Sequence, residues 1–156
     1  MTIRNDNAAD LVTEYVTVTI GDHMFGLPIF RVQDVFVPDR LTRVPLAPPE
    51  VAGILNLRGR VVTAIDMRAR LDLPARASGA PVMAIGIEMK GESYGLLVDA
   101  VGEVMQLRNA ACEAKPANLD QRLSRVAAGI YRLEGQLMVV LDVDRVLDIK
   151  NTAVAA

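Results

Sequence analysis

The chain has 156 residues, 51% hydrophobic and 23% charged, with net charge −2 and a pI near 5.4, which suits one domain or two small ones. With no Trp, three Phe and three Tyr, it lacks both the basic stripe and the stacking aromatics of a nucleic-acid binder. No stretch approaches the ~20 apolar residues of a membrane helix, residues 1–7 lack a signal peptide's apolar run, and the single Cys112 leaves no internal disulfide, so a cytoplasmic protein is expected.

After a flexible start (1–12), Tyr15–Ile20 alternates as a half-buried strand does, and Gly21-Asp22 turns it into a second strand, His23–Leu27. Pro28 opens a short helical turn, Val35–Val37 resumes strand character, and the prolines of Val44–Val51 make a stiff connector. Gly53–Leu57 and Val61–Ile65 form a hairpin about Arg58-Gly59, and Asp66 caps a helix over Met67–Leu71. Beyond the loop Ala75–Ala80, Met83–Glu88 and Ser93–Val98 pair about Lys90-Gly91, followed by Val101–Leu107 and a polar connector, Arg108–Arg125. Ala128–Leu133 and Gln136–Leu141 pair about Gly135, Asp142 caps a helix over Val143–Ile149, and 151–156 form a loose tail.

The order repeats, and so do the residues. Phe25-Gly26-Leu27-Pro28-Ile29 with Val32, Asp34 and Val35 matches Tyr94-Gly95-Leu96-Leu97-Val98 with Val101, Glu103 and Val104 at the same spacing. Ala52-Gly53-Ile54, Leu57, Gly59, Asp66 and Leu71-Asp72 match Ala128-Gly129-Ile130, Leu133, Gly135, Asp142 and Leu147-Asp148, eight identities in 21 residues. A duplicated all-β unit of about five strands per half follows, best accommodated as two small barrels that hide their strand edges. Either alone is marginal at about 65 residues, so a shared interface is expected. The division falls at roughly 13–75 and 80–150, and exchange of a strand between the halves is compatible with it. Val16, Val18, Ile54, Val62 and Ile65 are expected in one core. Val98, Val101, Ile130, Val140 and Leu141 are expected in the other, or in the interface.

No catalytic constellation is apparent. His23, the sole histidine, has no nucleophile motif beside it, and Cys112 sits in a polar connector. Asp142, Asp144 and Asp148 suggest a metal site, but Asp66 stands at the same junction in the other copy without the other two. A helix cap explains both. No phosphate loop is present, so no catalytic residue, metal or cofactor is expected.

The copies differ at the hairpin tip, where Asn56-Leu57-Arg58-Gly59-Arg60 faces Arg132-Leu133-Glu134-Gly135-Gln136. The segment from Asn56 to Arg68 resembles the signature of the CheW family of chemotaxis coupling proteins. So do Phe25-Gly26-Leu27, Val32-Gln33-Asp34-Val35, Val44-Pro45 and the run Tyr94–Val104; together they span about residues 13–150. The resemblance implies two SH3-like five-stranded barrels packed together with short helices, and no enzymatic activity. It implies a scaffold joining the cytoplasmic tips of methyl-accepting chemotaxis receptors to the CheW-like regulatory domain of the histidine kinase CheA. By the same resemblance, Val32, Asp34, Gly53, Asn56, Arg58 and Gly59 contact the receptor, while Lys115 and Pro116 match part of the kinase-contacting connector. Asp34 replaces the longer Glu usual in the family, Thr63 a frequent Pro, Met67 a frequent Leu, and Asn118 a common connector Pro. A CheW-like module serving a different receptor–kinase pathway, or a small ligand-binding barrel, is the alternative. One further expectation comes from the residues: Asp34 and Arg58 can pair, whereas their counterparts Glu103 and Glu134 cannot.

Overall fold

The computed structural model describes residues 11–149. The hairpin β1 (Val12–Ile20) and β2 (His23–Pro28) leads through a 3-10 turn, Ile29–Arg31, to β3 (Asp34–Phe36). A second hairpin, β4 (Val51–Leu57) and β5 (Arg60–Asp66), ends in α1 (Met67–Arg70). Next come β6 (Met83–Met89), β7 (Glu92–Val98) and β8 (Ala100–Arg108), a 3-10 turn and α2 (Gln121–Ser124). The chain closes with β9 (Ala127–Leu133), β10 (Gln136–Leu141) and α3 (Val143–Val146). The expected tail at 151–156 lies outside the described residues, as does most of 1–12, although Val12 already belongs to β1.

Asp66 accepts from the Arg68 and Ala69 N–H groups at 3.0 and 3.4 Å, and Asp142 accepts from Arg145 N–H at 3.3 Å. Both are the N-caps read from the sequence. The helix after Asp142 makes a single turn and stops at Val146, short of Ile149. The sequence reading missed α2, four residues being too few to show a 3.6-residue period.

Ten strands form two five-stranded sheets, ordered β8-β1-β2-β10-β9 and β3-β6-β7-β5-β4. The sheets do not divide the chain at residues 75–80. Each takes the leading hairpin of one copy and the last three strands of the other, joined through a parallel pair: β2 with β10 in the first sheet, β7 with β5 in the second. The remaining pairings are antiparallel. The exchange is reciprocal, so the duplicated sequence yields two like barrels, and neither is encoded by a contiguous half.

Burial follows from this. Neighbouring residues on one strand point to opposite faces, and four consecutive residues are buried in β1, β6, β7 and β10. One face feeds a large cluster drawn from both sheets, including Val16, Val18, Phe25, Ile65, Ile85, Leu96, Val98, Ile130 and Leu141. The other faces form separate interiors: Tyr15, Tyr131, Met138 and Val140 in the first sheet, Ala64, Ala84 and Leu97 in the second. Val98, Ile130 and Leu141 lie in the shared interface, one of the two places expected for them, while Val16, Val18 and Ile65 do not keep a core of their own. Val16, Val18 and Ile65 share one cluster with Val98, Ile130 and Leu141, because that cluster is the seam between barrels. Val62 is buried, Val101 only packs against the seam, and Ile54 is half-buried where its counterpart Ile130 is fully buried.

Polar contacts tie the barrels at the crossover between β7 and β8. Asp99 accepts from the Gly21 N–H at 2.8 Å, from Arg68 Nε and Nη2 at 3.0 and 2.6 Å, and from Arg76 Nε at 3.0 Å. Burial pushes this carboxyl up, but the arginine and backbone hydrogen bonds outweigh it and hold the group at about 2. Arg70 joins α1 to the end of α3, donating to the carbonyls of Val146 and Arg145 at 2.9 Å each.

Candidate functional site

The hairpin between β4 and β5 is closed by the Leu57–Arg60 pair. Arg58 and Gly59 have φ +53° and +82°, the left-handed pair of a type I′ hairpin turn. Asn56 stabilises the loop, its Oδ1 accepting from the Gly59 N–H at 3.0 Å. At the matching turn of the other barrel only Gly135 has positive φ, so Arg58 bears a backbone constraint that Glu134 does not. The result is a stiff tip that holds the Arg58 side chain out, 78% exposed.

β3 brings Asp34 to that tip. It lies at one edge of its sheet and β4 at the other, and closure of the barrel sets Asp34 Oδ2 4.0 Å from Arg58 Nη1. Asp34 pairs with Gly86 of β6, and its carboxylate occupies the space a side chain at 86 would fill; at Gly95 a Cβ would meet Phe36 and Val62 at 3.3 and 3.4 Å, a tight contact without overlap. Gly86 thus makes room for Asp34. Its signal in the sequence, a glycine inside a strand, was legible but had no partner until the sheets formed. Val32 is half-buried against the seam, and Gln33 Nε2 donates to Glu88 at 2.8 Å.

The structure therefore gathers Asp34, Asn56, Arg58 and Gly59 around one tip. Gly53 is buried: a Cβ there would collide with the Thr42 carbonyl, and the missing side chain lets Thr42 and Ile54 exchange hydrogen bonds of 2.8 and 2.7 Å. Gly129 plays the same part for Glu113 and Ile130, so this glycine is architectural in both copies. Lys115 and Pro116 lie far along the chain in the second connector. Both are half-buried, and Lys115 Nζ donates to the Ser124 carbonyl at 3.0 Å, which stitches the connector to α2.

Of the other polar residues singled out, His23 stacks edge-on to Phe25 at 6.2 Å and Cys112 is exposed. Asp144 reaches Arg31 at 3.2 Å while Asp142 caps α3. Among the described residues, no helix is long and apolar enough to cross a membrane.

Comparison with known proteins agrees with this architecture. The chemotaxis protein CheW of Rhizobium meliloti (strain 1021) is 29% identical over 144 residues, covering 90% of this chain and 93% of that protein. CheW of Bacillus subtilis (strain 168) is 27% identical over 133 residues, 85% of each chain. The crystal structure of the scaffolding protein TtCheW from Thermoanaerobacter tengcongensis superposes with a TM-score of 0.79 at 26% identity, covering 90% of this chain and 95% of the other. The family model for the CheW-like domain matches residues 14–151, from β1 past α3, and this chain belongs to the CheW family.

Proposed function

We propose that this protein is a non-enzymatic coupling scaffold that joins the cytoplasmic tips of methyl-accepting chemotaxis receptors to the regulatory domain of the histidine kinase CheA. It works in the cytoplasm, at the membrane-associated receptor array. The observation that carries this reading is the Asp34–Arg58 pair, formed where β3 meets a rigid hairpin tip and present in only one of two otherwise like barrels. A surface that breaks the internal symmetry, with a positioned arginine and the half-buried Val32 near by in the chain, suits a protein contact better than chemistry. Val32, Asp34, Asn56, Arg58 and Gly59 form the receptor side, with Gly53 holding the hairpin's backbone in place.

A bridge acts by raising the effective concentration of one partner near the other. Adding this protein to a receptor cytoplasmic fragment and the kinase should raise kinase autophosphorylation. Unchanged activity at saturating protein would sink the coupling function.

A further inference from the structure

Leu46 stands where physical chemistry disfavours it twice. In the turn Val44–Ala47 the Ala47 N–H donates to the Val44 carbonyl at 3.3 Å, Pro45 takes the second position, and Leu46 takes the third with φ +66°. That place in a type II turn favours glycine or asparagine. The side chain is also 83% exposed, more than any other large apolar residue described, and it joins no core cluster. Among the described residues, no apolar cluster takes up the side chain to offset either cost.

The segment is nevertheless built to hold this side chain still. Pro45, Pro48 and Pro49 stiffen it, the Val51 N–H donates to the Pro48 carbonyl at 2.9 Å, and the Thr42–Ile54 bonds fasten its base to β4. Val44 and Leu41, each 37% exposed, add apolar surface, and the exposed Arg43 borders the same hollow. Arg40, also exposed, instead lines a separate hollow with Asn56 and Val61, toward the hairpin tip. Backbone strain retained at an exposed position points to a use outside the fold.

Location narrows the use. The Leu46 turn abuts Val51 and Ala52 at the start of β4, whereas Arg58 follows its end. Six residues of strand separate the two ends by about 20 Å. The hairpin tip and this knob can thus face different proteins, as a bridge demands. The connector residues Lys115 and Pro116 are half-buried, and Lys115 is engaged within the chain, so a kinase contact through them leaves room for a further anchor elsewhere.

We propose that Leu46 is a docking knob for the kinase regulatory domain, inserting into an apolar socket of that domain whose rim of carboxylates meets Arg43. The proposal rests on the coupling reading above. The test is binding of the full chain, by calorimetry, to the isolated kinase regulatory domain and separately to a receptor cytoplasmic fragment. Leu46→Asn, which suits the left-handed turn, should melt at or above the wild-type temperature. It should bind the kinase domain at least tenfold more weakly and the receptor fragment as wild type does. Arg43→Glu should also weaken kinase binding.

Wild-type kinase affinity in Leu46→Asn overturns the proposal while leaving coupling intact, and so does an equal loss toward both partners. A lower melting temperature for that variant removes the strain on which the argument stands. Kinase binding unaltered beside a loss of self-association on sedimentation assigns the socket to a second copy and rejects the kinase. A wild-type chain that binds no kinase domain brings down the coupling reading itself.

Discussion

Arg58 shows how a single residue can matter more to a surface than to a fold. Its ion pair with Asp34 sits at the outer limit of such contacts and is largely exposed, so it contributes about 0–1 kcal/mol to stability. Arg58→Ala should leave the melting transition nearly in place yet weaken receptor-fragment binding more than tenfold, about 1.4 kcal/mol or more, with kinase binding kept. Arg58→Glu should be worse, because it sets two carboxylates side by side. Calorimetric titration of both variants against both partners checks this; undiminished receptor affinity would reduce Arg58 to an ordinary solvated tip. Asp99 is the opposite case, a charge used inside. Its folded pKa of about 2 lies below the ordinary carboxylate value, so its stabilisation is complete above pH about 4 and disappears as the pH falls through 4 toward 2. With part of the group still wetted, the effect is about 1 kcal/mol after solvent screening. Asp99→Asn should lower stability at pH 7, and the gap from wild type should close on acidification. Urea melts at pH 7 and pH 3 decide it; a gap independent of pH would assign the loss to packing.

At the scale of elements, the hairpins and caps were legible because their determinants are local. Arg58-Gly59 and Lys90-Gly91 each supply two left-handed residues in a row, and Asp66 and Asp142 lie one residue before their helices. Gly53 and Gly129 were legible only as repeated glycines; their reason, a crossing connector, is tertiary. Gly53→Ala should destabilise strongly, since backbone carbonyl and not a flexible side chain stands in the way. Gly129→Ala meets Cys112 Sγ at 2.9 Å and Glu113 O at 3.0 Å and should cost less. Gly91→Ala, with open space but φ +80°, should cost only about 1 kcal/mol from backbone strain. Thermal melts of the three rank them; a Gly53→Ala chain as stable as Gly91→Ala would remove the close approach of Thr42 as the explanation.

At the scale of the whole molecule, reciprocal exchange makes the two barrels one folding unit. Neither half of the chain contains a complete sheet, and the large apolar cluster needs strands from both. Fragments cut in the loop, 1–77 and 78–156, should each lack stable β structure alone and regain it on mixing. Circular dichroism of the separate and combined pieces tests this, and a fragment that folds by itself would refute it. Ile85→Ala, wholly buried in the seam, should cost roughly 2–5 kcal/mol and shift a single transition for both barrels. Ile54→Ala, half-buried, should cost less.

The amino-acid pattern alone determined the all-β class, ten strands in order, the two helix caps and the duplication, because strand alternation, turn chemistry and capping act over a few residues. The reversal of charge at the hairpin tip was also readable there, since Asn56, Arg58 and Gly59 fall within four residues; a role for it came only with the resemblance to the CheW family. Only the tertiary structure decided which strands share a sheet. Two equivalent hairpins could each pair with either set of three strands without altering a single local preference, and nothing in period-2 alternation distinguishes the choices. The same pairing decided that Gly86 would house Asp34 and that Asp99 would meet Arg68 and Arg76. It also decided which strands would be buried along four consecutive residues, β1, β6, β7 and β10, all of which it sets inside a sheet.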